Sequence, residues 1–457
     1  MEYLIRFKQI HNTFRQAETN ALADLLGLTI EWLSYSDETP FAIIRFQEPV
    51  DHARAAKDLM TRSILTYAIH ELWGEGIDYA SLHADIRRRT EARWDDYRYV
   101  SFRFELDSFQ GSRSSREQKA TMEALAFMDF QGKIVMKNPD HLFTIFEDFK
   151  LKAPAPHRVF LGRLVAESNR KVVAKYNLKK RKYIATTSMD AELSLVTANM
   201  ARAGPGKSAY DPFMGTGSFP LACAEFGSAV FGSDMDGRSI RGKKDRNVKS
   251  NFKQYGTSPL YLGGFAADIT NTPLRETRCL DSIVCDPPYG VREGLKVLGS
   301  NRDYLQEEIF LADGRPAHLV EGYIPPRKPY SFLRMLDDIL DFSANMLVDD
   351  GRLCMWMPVA GAVEEAIDED NVQVTEQETE YDVPQHPMLK LVSTCTQDFN
   401  KWSRRLLTYQ RLQDSSVDAD SLIAYRTQRL ELQGVNGDGS ADELNAFRRK
   451  YFQGFKD

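Results

Sequence analysis

The sequence predicts an α/β chain, with a parallel sheet carrying helices on both faces behind a smaller α+β N-terminal region. From about Tyr183 onward, short apolar runs that end in an acidic residue alternate with helical segments, as in a helix-flanked parallel sheet. Before residue 150 strands and helices mix without that alternation. The 457 residues also leave room for two or three domains at roughly 100–200 residues each.

In chain order, Tyr3–Phe7 and Phe41–Phe46 read as strands, and Phe14–Leu26 and His52–Leu65 carry apolar residues at helical spacing. Tyr99–Leu106 alternates as a strand, Arg116–Met128 reads as a helix, and Lys133–Met136 and His141–Phe146 as further strands. We therefore expect an α+β subdomain over 1–50, an accessory domain over 50–165, a basic connector over 166–182 and the main domain over 183–457. Between Leu151 and Tyr183 ten Lys or Arg stand against one acid, Glu167. Such a stretch suits a polyanion, because phosphate contacts supply most non-specific nucleic-acid affinity. Lys179, Lys180 and Arg181 are its densest part. The main domain has two interruptions, a segment over 295–328 and an acidic stretch over 364–382.

Composition excludes several classes. With 42% hydrophobic and 27% charged residues the chain is an ordinary globular one, and its net charge of −6 argues against binding through bulk basicity. No apolar run approaches the roughly 18 residues that cross a bilayer, and the start lacks the pattern of a signal peptide. We expect no membrane association and a cytoplasmic location. Cys223, Cys279, Cys285, Cys354 and Cys395 are widely spaced, so they read as buried thiols and no metal site is expected.

The chemistry starts at Tyr210-Asp-Pro-Phe-Met-Gly-Thr-Gly-Ser218, between a short strand and the helical pattern Phe219–Phe226. Gly215 and Gly217 let the backbone turn tightly and approach a ligand. The third glycine of the dinucleotide pattern is replaced by Pro220, which disfavours a pyrophosphate ligand. Gly206-Lys207-Ser208 imitates a phosphate-binding loop, but Ala201 stands where its first glycine belongs. The run Ala229–Asp234 then ends in a carboxylate able to accept hydrogen bonds from two ribose hydroxyls, with Asp236 as a competitor. The next run ends at Asp268, which can accept from an adenine amino group.

The decisive piece is Leu280-Asp-Ser-Ile-Val-Cys-Asp286-Pro-Pro-Tyr-Gly290, a buried-strand pattern broken by two prolines. Pro287 and Pro288 fix φ and remove two donors, leaving a stiff platform of acceptors. An exocyclic amine on a base is conjugated with its ring and is a poor nucleophile until its hydrogens are held out of plane. The Asp286 carboxylate and the Pro287 carbonyl can take those hydrogens and aim the nitrogen at a methyl sulfonium, with Tyr289 stacked on the base.

These motifs resemble the Rossmann-like amino methyltransferases, with Asp211-Pro-Phe-Met-Gly-Thr-Gly217 as cofactor loop and Asp286-Pro-Pro-Tyr289 as catalytic motif. More narrowly, Thr186-Thr-Ser-Met-Asp-Ala-Glu-Leu193, Asp234-Met-Asp-Gly-Arg238 and the run 286–294 are similar to the eukaryotic tRNA guanosine-10 N2-methyltransferase catalytic subunits. That resemblance implies a Rossmann-like methyltransferase sheet behind an N-terminal region containing a THUMP domain, placed over 50–165, that binds tRNA. It implies S-adenosyl-L-methionine as cofactor, held by Asp211, Phe213, Gly215, Thr216, Gly217, Asp234 and Asp268, with Thr187 and Ser188 near its carboxylate. It also implies a heterodimer with a small zinc-binding methyltransferase activator subunit. The expected activity is methyl transfer to N2 of guanosine 10 in tRNA, with the Asp286 loop as catalytic centre and Lys179, Lys180, Arg181 and Arg292 on the RNA. Lys296, Arg302, Arg315, Arg327 and Lys328 are further candidates for the pocket mouth. Adenine N6, a protein glutamine, or an inactive RNA-binding scaffold are the alternatives that the motifs leave open.

Overall fold

The computed structural model describes residues 1–291, 295–300, 308–320, 323–360, 382–399, 402–434, 445, 447, 448 and 451. Arg292, Arg302 and the acidic stretch over 364–380 lie outside the described residues. The chain divides into two compact units, Met1–Val172 and Val173–Asp457. Among the described residues no helix is long and apolar enough to cross a membrane.

The first unit is one seven-stranded sheet of β1 (Glu2–Phe7), β2 (Ile30–Ser34), β3 (Phe41–Phe46), β4 (Thr66–Gly76), β5 (Phe102–Phe109), β6 (His141–Asp148) and β7 (Arg158–Glu167). Their order is β2-β3-β1-β4-β7-β6-β5, antiparallel except for the parallel pair β5 and β6. Residues 1–50 supply β1–β3 to the same sheet that β4–β7 complete, so the sheet does not break near residue 50. Three apolar clusters hold it: Tyr3, Ile5 and Phe46 pack with Leu59 and Met60; Trp73, Phe143 and Leu161 pack with Leu82 and Ile86; and Leu4, Phe41, Leu72 and Phe146 pack together. The helix His52–Met60 stops five residues earlier than its apolar spacing suggests. Its start is fixed by Asp51, whose side chain accepts from the Arg54 N–H.

Three expectations fail here. Lys133–Met136 is not a strand, since Ile134 makes only an isolated bridge to Phe102. β7 runs through the basic stretch read as suiting a polyanion; its Arg158 and Arg163 pair with Glu75 and Glu71 of β4. These two of the ten basic residues are thus paired with acids distant in sequence. Cys279 is exposed, while the other four thiols are buried.

The second unit is a Rossmann-like α/β sheet. Its strands are β8 (Ser208–Asp211), β9 (Ala229–Asp234), β10 (Tyr261–Ala266), β11 (Leu280–Cys285), β14 (Leu347–Ala360), β15 (Leu389–Asp398) and β16 (Trp402–Arg411); Lys296–Leu298 and Arg327–Pro329 (β12 and β13) pair separately as a small ladder. The order is β10-β9-β8-β11-β14-β16-β15, with β10 through β14 parallel and β16 antiparallel to both neighbours. The helix Ser218–Glu225 links β8 to β9, whereas Phe332–Met346 leads from the β12–β13 ladder to β14, and β9 and β14 flank the adjacent pair β8–β11 on opposite sides. That helix buries Phe332, Met335, Leu336, Ile339 and Leu340, spaced at one helical face, each worth about 1.5–3 kcal/mol of apolar burial. The chain therefore turns to opposite sides after β8 and β11, and a crevice opens at their carboxyl ends.

Candidate active site

That crevice is a cavity of about 470 Å³ floored by the loops that follow β8, β9, β10 and β11. Asp211, Phe213, Gly215, Thr216, Asp234, Asp268 and all of Asp286–Tyr289 line it, together with Thr187 and Ser188. Gly217 stands just behind, as the residue before helix Ser218–Glu225. Gly215 and Gly217 have φ of 51° and 84°. A Cβ on Gly217 would also approach Val248 Cγ1 to 3.1 Å, so both backbone freedom and space call for glycine there.

Each acid is locked by local hydrogen bonds. Asp211 accepts from the Phe213 N–H at 2.9 Å, and Asp234 accepts from Gly215 N–H with Oδ2 and from Asp236 N–H with Oδ1, at 2.9 and 2.8 Å. The end of β9 is thereby tied to the glycine turn after β8. Asp236, the competitor in sequence, is occupied by Arg238 and by capping the turn that starts at Gly237. Asp268 is the most heavily used: Oδ1 accepts from Thr270 N–H, Thr270 Oγ1 and Asn271 N–H, and Oδ2 accepts from Leu298 N–H of β12 at 2.6 Å. Any further donor has only Oδ2 to address. Ser188 Oγ lies 2.7 Å from Thr216 Oγ1, which joins the segment before helix Ala191–Met200 to the glycine turn.

In the proline loop the Tyr289 hydroxyl donates to Asp286 Oδ1, and the Tyr289 ring stands edge-on to Trp402 and Phe447, 6.0 and 6.3 Å away. Burial raises the pKa of Asp286, opposed by the Tyr289 hydrogen bond and by Arg404. Burial likewise raises Asp234, and Asp211 is raised well above its ordinary value by burial and, secondarily, by Asp234 and Asp286. Burial holds these three carboxyls toward their neutral form, and a cationic ligand in the same cavity would favour their ionisation.

The basic candidates separate. Lys179 and Lys180 are exposed in the turn Leu178–Lys180. Arg181 is 5% exposed, and its Nη1 donates to Ser218 Oγ at 2.8 Å, so it belongs to the packing beneath the glycine turn and is corrected from an RNA contact to a structural residue. Lys296 lines the cavity with Val297 and Tyr330, whereas Arg315 is paired with Asp313.

Sequence reasoning missed a second layer. Asn445 Nδ2 donates to the Tyr289 carbonyl at 2.9 Å, and Arg448 Nη1 donates to the carbonyls of Gly290 and Val291. Arg404 Nη1 lies 3.9 Å from Asp286 Oδ2. None of these three sits in a motif, and nothing local in the sequence marks them.

Residues 1–170 match the family model described as the Tmrp11 THUMP N-terminal domain, and residues 179–301 match the RMKL-like methyltransferase domain. The solved structure of TrmN from Thermus thermophilus is 16% identical, with a TM-score of 0.41, and covers 90% of this chain and 100% of its own. The human tRNA (guanine(10)-N(2))-methyltransferase is 30% identical over 482 residues, 99% of this chain and 95% of the relative. The enzyme of that name from Saccharomyces cerevisiae is 40% identical over 465 residues, 99% of both chains. A likeness that runs the whole length of the chain, and so takes in the glycine turn, the strand-end acids and the proline loop that meet at one cavity, places this chain in the tRNA (guanine(10)-N(2))-methyltransferase family.

Proposed function

We propose that this chain transfers a methyl group from S-adenosyl-L-methionine to the exocyclic N2 of guanosine 10 in tRNA. One observation carries the reading: the Asp286-Pro-Pro-Tyr289 loop shares a cavity with the glycine turn and with the strand-end acids Asp211 and Asp234. The residues fit the cofactor, which is a cation carrying a ribose with two hydroxyls. A cation favours ionisation of the buried carboxyls, and both oxygens of Asp234 retain acceptor capacity after their backbone bonds. Asp234 would hold the ribose, Asp268 the adenine amino group through Oδ2, and Asp211, Phe213, Gly215 and Thr216 the remaining wall, with Gly217 shaping the turn behind it and Thr187 and Ser188 toward the carboxylate end. When bound, the cofactor supplies an electrophilic methyl group on sulfonium.

The chain's own residues then prepare the nucleophile. The Asp286 carboxylate and the Pro287 carbonyl accept the two amine hydrogens, which turns the nitrogen lone pair out of conjugation. Tyr289 flanks the base, which must first leave its stack at a cost of a few kcal/mol. As the amine nitrogen gains a carbon it gives up one proton, and Asp286 is the acceptor at hand, since burial raises its proton affinity. The N-terminal unit, with a THUMP domain over 50–165 built on the 1–50 subdomain and followed by the 166–182 connector, grips the tRNA, and Lys179 and Lys180 add phosphate contacts.

A heterodimer with a small zinc-binding activator and a cytoplasmic location complete the proposal. Among the described residues the second sheet ends at β10, where Leu262 is exposed, and a partner strand can add there. Mass spectrometry of nucleosides from unmodified tRNA treated with enzyme and cofactor tests the function. N2-methylguanosine at position 10 is expected, and a methyl group found only on adenine or on protein would overturn it.

A further inference from the structure

Arg404 lies on β16, in register with Pro358 of β14 and Gln397 of β15. Its guanidinium stands 4.6 Å over the Trp356 ring and 5.5 Å from that of Phe399, and its Nε donates to Gln397 Oε1 at 2.8 Å. The side chain is 14% exposed, and Nη1 lies 3.9 Å from Asp286 Oδ2. Stacking on one side and a hydrogen bond on the other fix the direction in which this cation points. Arg404 is absent from the cavity wall, so it reaches the chemistry through Asp286.

The surroundings of Asp286 explain why a cation is placed there. Tyr289 faces it from its own loop, Asp211 from the end of β8 and Cys285 from the preceding position, while Asp234 adds to the field at Asp211. All of these are neutral or acidic. A carboxyl out of water among other carboxyls tends to hold a proton, and a protonated carboxyl is a weaker acceptor for an amine N–H. A guanidinium, which stays charged at every working pH, opposes that tendency.

Building on the methyl-transfer reading above, we propose that Arg404 is a positioning residue that holds the Asp286 carboxylate ionised and in one orientation, ready to accept the substrate amine. Tyr289 secures Oδ1 and Arg404 secures the charge from the Oδ2 side. The aromatic bed of Trp356 and Phe399 keeps the guanidinium from swinging into the cavity, where it would repel a cationic cofactor.

The test is the pH profile of kcat for the full-length chain co-expressed with its activator, at saturating cofactor and unmodified tRNA, for wild type, Arg404→Gln and Arg404→Lys. Removal of the charge is expected to lower kcat about tenfold near pH 6.5, with the gap closing toward pH 9 as Asp286 ionises unaided. KM for tRNA should stay within about twofold, because the residue does not line the cavity. Arg404→Lys keeps the charge and should leave the acid limb near its wild-type position. A profile for Arg404→Gln parallel to wild type at every pH, or an acid limb in Arg404→Lys displaced as far as in Arg404→Gln, overturns the proposal. If Arg404→Gln does not fold, Arg404→Lys decides alone: a displaced limb or a pH-independent loss overturns it. Absence of transfer by the wild type would instead remove the catalytic reading itself.

Discussion

The hydroxyl of Tyr289 donates to Oδ1 of Asp286, three residues upstream in the same loop. Burial, followed by the nearby Asp286 charge, raises the tyrosine pKa well above its ordinary value, so the donor persists across the working range. The bond lowers the proton affinity that burial gives Asp286. Tyr289→Phe keeps the ring against Trp402 and Phe447 and removes this bond together with the hydroxyl's interaction with Arg404. A loss of about tenfold in kcat is expected, the value of one hydrogen bond to a charged group, and it should be larger at pH 6 than at pH 8. Equal activity of variant and wild type at pH 6 would contradict the role given to the hydroxyl.

Asp286→Asn replaces an acceptor-only group by one that presents donors toward the amine. Methyl transfer should fall by on the order of 10²–10³, about 2.7–4 kcal/mol, in line with loss of one preorganised group. Cofactor affinity should fall less than transfer does, because the strand-end acids Asp211 and Asp234 are untouched. Single-turnover transfer of labelled methyl, beside a cofactor-binding titration, separates the two effects; retention of transfer with normal folding would remove Asp286 from the mechanism.

Asp211 is 1% exposed, and its folded pKa is raised above its unfolded one. A raised carboxyl binds its proton more tightly in the folded chain, so it lowers stability once the pH exceeds the unfolded value, most fully above the folded one. Asp211→Asn can still accept from the Phe213 N–H. It should stabilise the cofactor-free protein by about 1 kcal/mol, ~2–4 °C in Tm, at pH 8 and by less at pH 5. The same change should weaken cofactor binding. Thermal melts at the two pH values, with and without cofactor, check both halves; a Tm gain independent of pH would point to a cause other than charge.

Lys179 and Arg181 are two residues apart and should fail differently. Charge reversal at Lys179 and Lys180 is expected to weaken tRNA binding and flatten its salt dependence without a change in Tm. Arg181→Ala removes the bond to Ser218 from a buried site and should cost about 1–3 kcal/mol of stability. Filter binding at several salt concentrations, alongside denaturant melts, gives the comparison, and a normal Tm for Arg181→Ala would reverse the structural assignment.

The legible parts of this chain were those whose signal is local. Ala229–Asp234 and Phe41–Phe46 show as strands at their true bounds because an apolar run is bounded by turn residues or a terminal acid. The floor of the cavity was legible because its acids directly follow their strands. β7 was not, because Arg158 and Arg163 look solvent-seeking until Glu75 and Glu71 of β4 are set beside them. β2, β4 and the helix Tyr79–Thr90 escaped for a related reason: their faces are defined by partners on other strands. Arg404, Asn445 and Arg448 carry no motif, and only folding brings them to the catalytic loop.

The carbonyls of Tyr289 and Gly290 are held by Asn445 and Arg448, about 156 residues further along the chain. At roughly 5–20 residues per second, a ribosome delivers those two side chains on the order of ten to thirty seconds after the loop itself. Through that interval the parallel core β8–β11 is already synthesised, yet the loop lacks its brace. A nascent chain interrupted in that window would therefore be assembled in its centre and still unfinished as a catalyst, so competence arrives with late translation and not with collapse of the sheet.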